Sequence, residues 1–168
     1  MATTCKLIAK NVLSGTATSV AFSDIPATYT DLLVVHSART DRSSFVEDYI
    51  KISFNGVTTN RSMRSLYGLG TSGGSGTDTD IYTSIGAAGS TSSTFGNGFY
   101  YIPNYAGSTN KSVSGESVQE TNASSAVMYI VAGLWSSTAA ITTVTLTPYY
   151  GPNFISGSSF FLYGITKA

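Results

Sequence analysis

Proton-transfer chemistry near neutral pH most often uses histidine, and this chain has one, His36, in LLVVHSAR. Strand alternation puts His36 on the face of Leu32 and Val34, which predicts a core-edge histidine hydrogen-bonded to a backbone group. A Ser-His-Asp hydrolase would need His36 as its base, yet no GxSxG elbow surrounds any serine, so no triad is assigned. Among the carboxylates, Glu47 and Asp48 are adjacent, and neighbours on a strand point to opposite faces. Glu116 and Glu120 read as a solvated rim rather than a pair flanking a glycosidic bond. Asp78 and Asp80 in TDTD alternate as oxygen ligands of Ca²⁺ can, but no EF-hand glycine and distal glutamate follow, so they read as a polar loop tip. Gly68-Leu69-Gly70 opens no helix and lacks a Gly-Lys-Thr/Ser ending, so it is not a phosphate loop. One cysteine, Cys5, and one histidine allow neither an internal disulfide nor a Cys/His zinc cluster. No catalytic, cofactor-binding or metal-ligating residue is assigned.

Aromatic side chains with polar tips are the remaining candidates, because tyrosine is enriched at protein interfaces and suits stacking on sugars. They concentrate in Phe99-Tyr100-Tyr101-Ile102-Pro103-Asn104-Tyr105 and in Tyr149-Tyr150 beside Gly151-Pro152. Tyr100, Tyr101, Tyr105, Trp135, Tyr149 and Tyr150 are the candidate interface residues.

The elements that must position these groups are strands. Helical periodicity is nearly absent, while Val, Ile, Thr, Tyr and Phe cluster in short runs broken by Gly, Asn, Ser and Pro. The predicted strands are Lys6 to Leu13, Ser19 to Ser23, Asp31 to Arg39, Asp48 to Asn55, Ser62 to Tyr67, Ile81 to Ile85, Gly98 to Ile102, Lys111 to Glu120, Ala126 to Trp135, Ile141 to Thr147 and Ser159 to Ile165. Asn55-Gly56 predicts a tight hairpin turn. Residues 68–80, with five glycines, and 86–98 predict two long loops, the first of them mobile. Leu32 to Val35 and Val127 to Val131 are apolar on both faces, as expected of central strands covered by the core on one side and by a neighbouring subunit or loop on the other. The last strand is too apolar for an exposed edge and is expected inside a sheet with one face in the core. Together these predict an all-β chain: a single antiparallel β-sandwich domain over 1–168, jelly-roll-like, with long Gly/Ser-rich loops.

Composition narrows the partners. Hydrophobic residues make up 42% of the 168, enough for a core, but charged residues are only 11% and balance to zero. The polar surface must come from 26 Ser, 23 Thr and 17 Gly. No Lys/Arg run exists to release counterions from a phosphate backbone, which excludes nucleic acid. The most apolar run, Ala126 to Trp135, is about half the length of a membrane-spanning helix. A surface with so little charge resists self-association weakly, so an oligomer is expected.

The chain resembles a family of virion structural proteins of tailed bacteriophages. The resemblance runs in order through KLIAKNVLSGTATSVAFSDIPATYTDLLVVHSAR, SFNG, RSLYG, YIPNYAGSTNKSVS, VAGLWSSTAAITTVTLTP and SSFFLYGI, and is strongest in IPATYTDL, LWSSTAAITTVTL and LYGI. It departs in PYYGPNF before the last strand. The family resemblance implies a non-enzymatic, β-rich protein of the virion exterior, made in the bacterial host cytoplasm and needing no cofactor. The expected function is a capsid decoration or cement protein, a homotrimer by first expectation, with the major capsid protein or other virion proteins as partners. The alternative is a tail-fibre or spike tip module that recognises host-surface glycan through its loops. Neither nucleic acid nor membrane is an expected partner.

Overall fold

The computed structural model describes residues 4–122 and 126–166. It is an antiparallel β-sandwich of unequal sheets. The larger sheet runs in the order β1 (Cys5–Val12), β12 (Ser159–Ile165), β3 (Asp31–Ala38), β8 (Gly96–Pro103), β9 (Lys111–Gln119), β10 (Val127–Trp135), β5 (Arg61–Leu69) and β6 (Ser72–Asp78). The smaller sheet is β2 (Val20–Phe22), β11 (Val144–Pro148), β4 (Glu47–Phe54) and β7 (Ile81–Gly86). The described residues contain no helix.

Alternation decides what is inside. Leu32, Val34, Tyr100, Ile102, Phe160 and Leu162 of the large sheet meet Ile50, Ile52, Phe54, Val144 and Leu146 of the small one, all of them buried. At about 1.5–3 kcal/mol per large apolar side chain, this layer is the main favourable term in folding. The carboxy-terminal strand β12 lies between β1 and β3. Its Phe160 and Leu162 point into the core and Phe161, Tyr163 and Ile165 point outward, as its alternation predicts.

Two turns differ from expectation. Asn55 and Gly56 adopt positive φ, 52° and 71°, and the Val57 N–H donates to the Phe54 carbonyl at 2.9 Å, so the tight turn forms. It does not close a hairpin between neighbouring strands. β4 already has β11 and β7 on its two edges, so the chain leaves for the other sheet and continues as β5. The Asn55 side chain is spent on tertiary contacts instead: Oδ1 accepts the N–H groups of Thr142 (2.9 Å) and Thr143 (3.0 Å), and Nδ2 donates to the Ala140 carbonyl (2.8 Å). This anchoring keeps 141–143 out of the ladder, and β11 begins only at Val144.

The expected loop over 68–80 is instead a hairpin. β5 turns at Gly70, φ 60°, and returns as β6, an edge strand built almost entirely of Gly, Ser and Thr. Propensity argues against a strand there. The strand forms because β5 offers a complete ladder from Met63 to Leu69, and because side chains at key positions would not fit. A Cβ at Gly74 would sit 2.7 Å from the Tyr67 hydroxyl oxygen.

Of the second expected loop, 86–98, Gly86 ends β7 and 96–98 open β8, and the remaining 87–95 is tied down by Arg39. Its Nη1 donates to the carbonyls of Thr91 (2.7 Å) and Thr94 (3.0 Å), and its Nη2 to those of Ala88 (3.1 Å) and Ser90 (3.0 Å). The planar five-donor fork of a guanidinium is suited to gathering several carbonyls into one turn.

Candidate functional site

Side-chain burial separates the six candidate interface residues. Tyr100, Tyr105 and Trp135 are core residues and cannot anchor another chain. The Tyr100 hydroxyl donates to the Ile50 carbonyl at 2.6 Å, tying the two sheets together, and burial pushes its pKa well above the usual phenol range. The Tyr105 hydroxyl donates to the Pro26 carbonyl, and Trp135 packs on Phe54 with ring centroids 5.5 Å apart. Tyr100 and Trp135 share the alternation of their apolar neighbours and face inward with them, whereas Tyr105 lies in the turn beyond β8 and is held inward by its bond to Pro26. Tyr101, one residue out of phase with Tyr100, faces outward and donates to Asp31 Oδ2 at 2.7 Å. Tyr149 is half-buried and Tyr150 exposed.

The outward face of the large sheet is the first of two candidate surfaces. Cross-strand register aligns Lys10, Phe161, Val35, Phe99, Glu116, Ile130, Leu66 and Ser75 in one row across all eight strands. The next row reads Leu7, Tyr163, Leu33, Tyr101, Ser114, Ala132, Arg64 and Thr77. Two apolar fields result, one on β12, β3 and β8 and one on β10 and β5, divided by the polar strand β9. Leu66, Met128 and Ile130 are 63%, 61% and 56% exposed. Apolar faces of this extent on soluble chains mark interaction sites.

The second surface is a corner between the sheets. The free edge of β7 abuts the inner face of the large sheet, where the Ser84 N–H donates to Ser117 Oγ at 2.9 Å and the Tyr82 N–H points at Met63 Sδ. Tyr49 and Tyr82 alternate with core residues of β4 and β7 and so lie on the outer side of the small sheet. They meet Tyr67 and Tyr129 from the inner side of β5 and β10. Tyr49 and Tyr82 are 4.9 Å apart at 53°, and Tyr67 and Tyr129 stack at 5.6 Å and 12°. Tyr149 and Tyr150 extend the cluster through the Tyr82–Tyr149 contact at 5.1 Å, and Arg42 lies 4.2 Å over the Tyr150 ring. Six of the eleven tyrosines of the chain therefore gather here, drawn from five separate segments. Tyr49, Tyr67, Tyr82 and Tyr129 line a cleft of about 280 Å³, with Glu47, Leu69 and Gly76 completing its lining.

Glu47 is half-buried and its carboxylate accepts from Ser84 Oγ at 3.0 Å. Burial holds its pKa above the usual carboxylate range. Asp48, on the opposite face as expected, is fully buried and structural: it accepts from Thr40 Oγ1 and from the N–H groups of Tyr49, Tyr150 and Gly151, all within 3.1 Å. It thereby sets the path of the Tyr149–Tyr150 segment.

The remaining polar candidates are engaged elsewhere. Asp80 pairs with Arg61 and, at 3.8 Å, with Lys51, while Asp78 Oδ1 accepts the Asp80 N–H, so the TDTD carboxylates are occupied by cationic side chains and backbone. Glu116 lies on the outer face of β9 and Glu120 is exposed just beyond the strand, about 13 Å away along extended chain, too far for a glycosidase pair. His36 is buried on the Leu32/Val34 face as its alternation predicts. Its nearest polar contact is Thr83 Oγ1, 3.5 Å from Nε2, rather than a backbone group, and Nδ1 has no hydrogen-bond partner among the described residues. Burial lowers its pKa to about 3, so it is a neutral core residue.

The tyrosine corner escapes sequence reasoning because its members are scattered between residues 49 and 150. The one local signal is the glycine spacing of 73–76, which is what a strand lying against an aromatic ring needs. Comparison of the chain with protein-family models, with curated proteins and with solved structures finds no match, so its assignment rests on these two surfaces.

Proposed function

We propose that this chain is a non-enzymatic structural protein of a bacteriophage virion exterior, working as a capsid decoration or cement protein that assembles with copies of itself and docks on the major capsid protein. The observation that carries the reading is the apolar outer face of the large sheet. The whole face, eight strands about 4.8 Å apart with about seven residues each at about 3.3 Å, spans about 900 Å², so a contact that covers both apolar fields and the polar strand between them reaches the roughly 800 Å² per partner of a stable interface. The balanced net charge and the family resemblance of the sequence point the same way.

Two measurements test it. The purified protein should run as an oligomer, a trimer by first expectation, in sedimentation or light-scattering experiments, and Ile130→Glu should shift it to monomer. Purified virions should carry it in numbers comparable to the major capsid protein, whereas a dozen copies or fewer would place it elsewhere in the particle. A second reading, a fibre or spike tip that recognises host glycan, is favoured by the tyrosine corner. The Gly/Ser-rich segments no longer support it, because one is an edge strand and the other is tied to Arg39.

A further inference from the structure

We propose that the tyrosine corner is a carbohydrate-binding cleft that takes one neutral pyranose ring of a polysaccharide. The cleft volume of about 280 Å³ lies at the small end of ligand sites, suited to one ring rather than to an extended ligand. Its walls are of the right kind. Tyr67 and Tyr129 stack on each other and Tyr49 meets Tyr129 edge-on at 5.9 Å, so the four rings form one packed wall whose free ring surface faces the C–H groups of a sugar, while their hydroxyls supply polar edges. Glu47 adds a carboxylate inside the same cleft. It already accepts from Ser84 Oγ and from the Tyr49 hydroxyl, so of the about four lone-pair sites of an ionised carboxylate about two remain for sugar hydroxyls.

The chain keeps the cleft open and its wall fixed with glycine. Gly76 lines it with no side chain, and a Cβ at Gly74 would come within 2.7 Å of the Tyr67 hydroxyl, so glycine there leaves the ring its place. Ring placement before ligand arrives reduces the ordering cost of binding. Tyr149 and Tyr150 continue the aromatic surface out of the cleft, where neighbouring sugar residues of a longer chain would run.

Charge selects among sugars. Glu47 lies in the cleft, and burial, with Asp78 close by adding to it, raises the pKa of Tyr82 and Tyr149. Arg42 donates to the Glu47 main-chain carbonyl and stacks on Phe45 and Tyr150, and Lys51 sits over Tyr149 and pairs with Asp80. No cation therefore lines the cleft among the described residues, and uronic or sialic acids would meet a carboxylate. A quaternary ammonium is the other occupant of aromatic sites, but it needs ring faces converging on one point. Here the contacts of Tyr49 and Tyr82 with each other and with Tyr149 are tilted by 53° to 78°, mixing faces with edges.

The site inference deepens the glycan-recognition reading but rests on it only for the source of the sugar. The test is saturation-transfer NMR and calorimetry on the intact protein with glucose, galactose, N-acetylglucosamine and their oligomers, with glucuronate and choline as comparisons, each at about 10 mM because single-ring sites are weak. The expected result is saturable binding of at least one neutral sugar through its ring C–H protons. The isosteric Glu47→Gln should weaken it about tenfold or more at unchanged melting temperature, Tyr67→Ala should weaken it at least as much while lowering the melting temperature, and Ile130→Ser on the other surface should not weaken it. Binding of no neutral sugar, preference for glucuronate or choline, or neutral-sugar binding untouched by Glu47→Gln overturns the proposal. Sugar binding without adsorption to host cells keeps the cleft and dismisses the tip reading. Adsorption that survives both corner variants keeps the tip reading and dismisses the cleft.

Discussion

His36 shows how much one buried side chain can impose. With its pKa held at about 3 by burial, it stays neutral in the folded chain while the unfolded chain takes up a proton near 6.5. A depressed folded pKa means that the stability is present above the unfolded value and is lost as pH falls between about 6.5 and about 3, at up to about 1.4 kcal/mol per pH unit. Glu47 works in the opposite sense, since a carboxyl pKa raised by burial gains stability on acidification. Comparing wild type with His36→Leu isolates the histidine. Urea midpoints measured at pH 7 and pH 4.5 should fall more for the wild type than for the variant, and equal falls would show that His36 is protonated in the folded state.

Arg39 makes a second residue-scale case. Removing its guanidinium would strip donors from the carbonyls of Ala88, Ser90, Thr91 and Thr94, at about 1–3 kcal/mol for each that stays buried and unpaired. Arg39→Ala should therefore cost about 2–4 kcal/mol and raise amide exchange through 87–95. Arg39→Lys should rescue little of this, because a single ammonium cannot bridge carbonyls that the two ends of the fork now hold. Unchanged exchange in 87–95 would show that the loop holds itself.

At the scale of elements, β12 and β6 are opposites. β12 sits inside the large sheet and contributes to both of its faces, so its loss should be global. Truncation after Gly157 removes the buried Phe160 and Leu162 together with the half-buried Phe161 and Tyr163, and separates β1 from β3. At about 1.5–3 kcal/mol per fully buried side chain, plus two broken ladders, this loss rivals the whole stability of a small domain at about 5–15 kcal/mol. A truncated chain with no cooperative melting transition is the expected outcome. β6, an edge strand almost free of apolar side chains, should tolerate change except where it touches Tyr67. Gly74→Val would drive a Cβ to within 2.7 Å of the Tyr67 hydroxyl, so it should displace the ring and weaken the corner while Ser75→Val, pointing outward, does not. Near-ultraviolet dichroism of the tyrosines reads the difference.

Taken whole, the molecule has one covered layer and one bare one. The small sheet covers only part of the inner face of the large sheet, and nothing among the described residues covers the outer face. Association through the outer face would be driven by apolar area, so it should persist at high salt and make the melting temperature depend on protein concentration. The double variant Leu66→Ser/Ile130→Ser, at two exposed positions paired across β5 and β10, should abolish that dependence while leaving the melting temperature of the dilute chain nearly unchanged. Dependence that survives the double variant would move the interface off this face.

What the sequence determined by itself follows from period-two alternation, which is a local property. It was enough to place the strands Asp31 to Arg39, Lys111 to Glu120 and Ser159 to Ile165 within a residue or two, to put His36 inward, and to require β12 to lie within a sheet. Even there, the interface expectation for Tyr100 and Trp135 fails, because aromatic type outweighs the phase they share with Ile102 and Val131, and Tyr105 is buried by a turn that alternation does not describe. Tertiary structure alone decided the rest. β6 is a strand only because β5 has a free edge to offer it, which no local propensity encodes. Asn55-Gly56 kept its turn but lost its hairpin because both edges of β4 were already paired. The tyrosine corner exists because the free edge of β7 meets the inner face of β9, β10 and β5, bringing an outward-facing set of side chains against an inward-facing one. Facing direction within a strand is written in its alternation, but which strand stands opposite is set by the competition of all edges for partners.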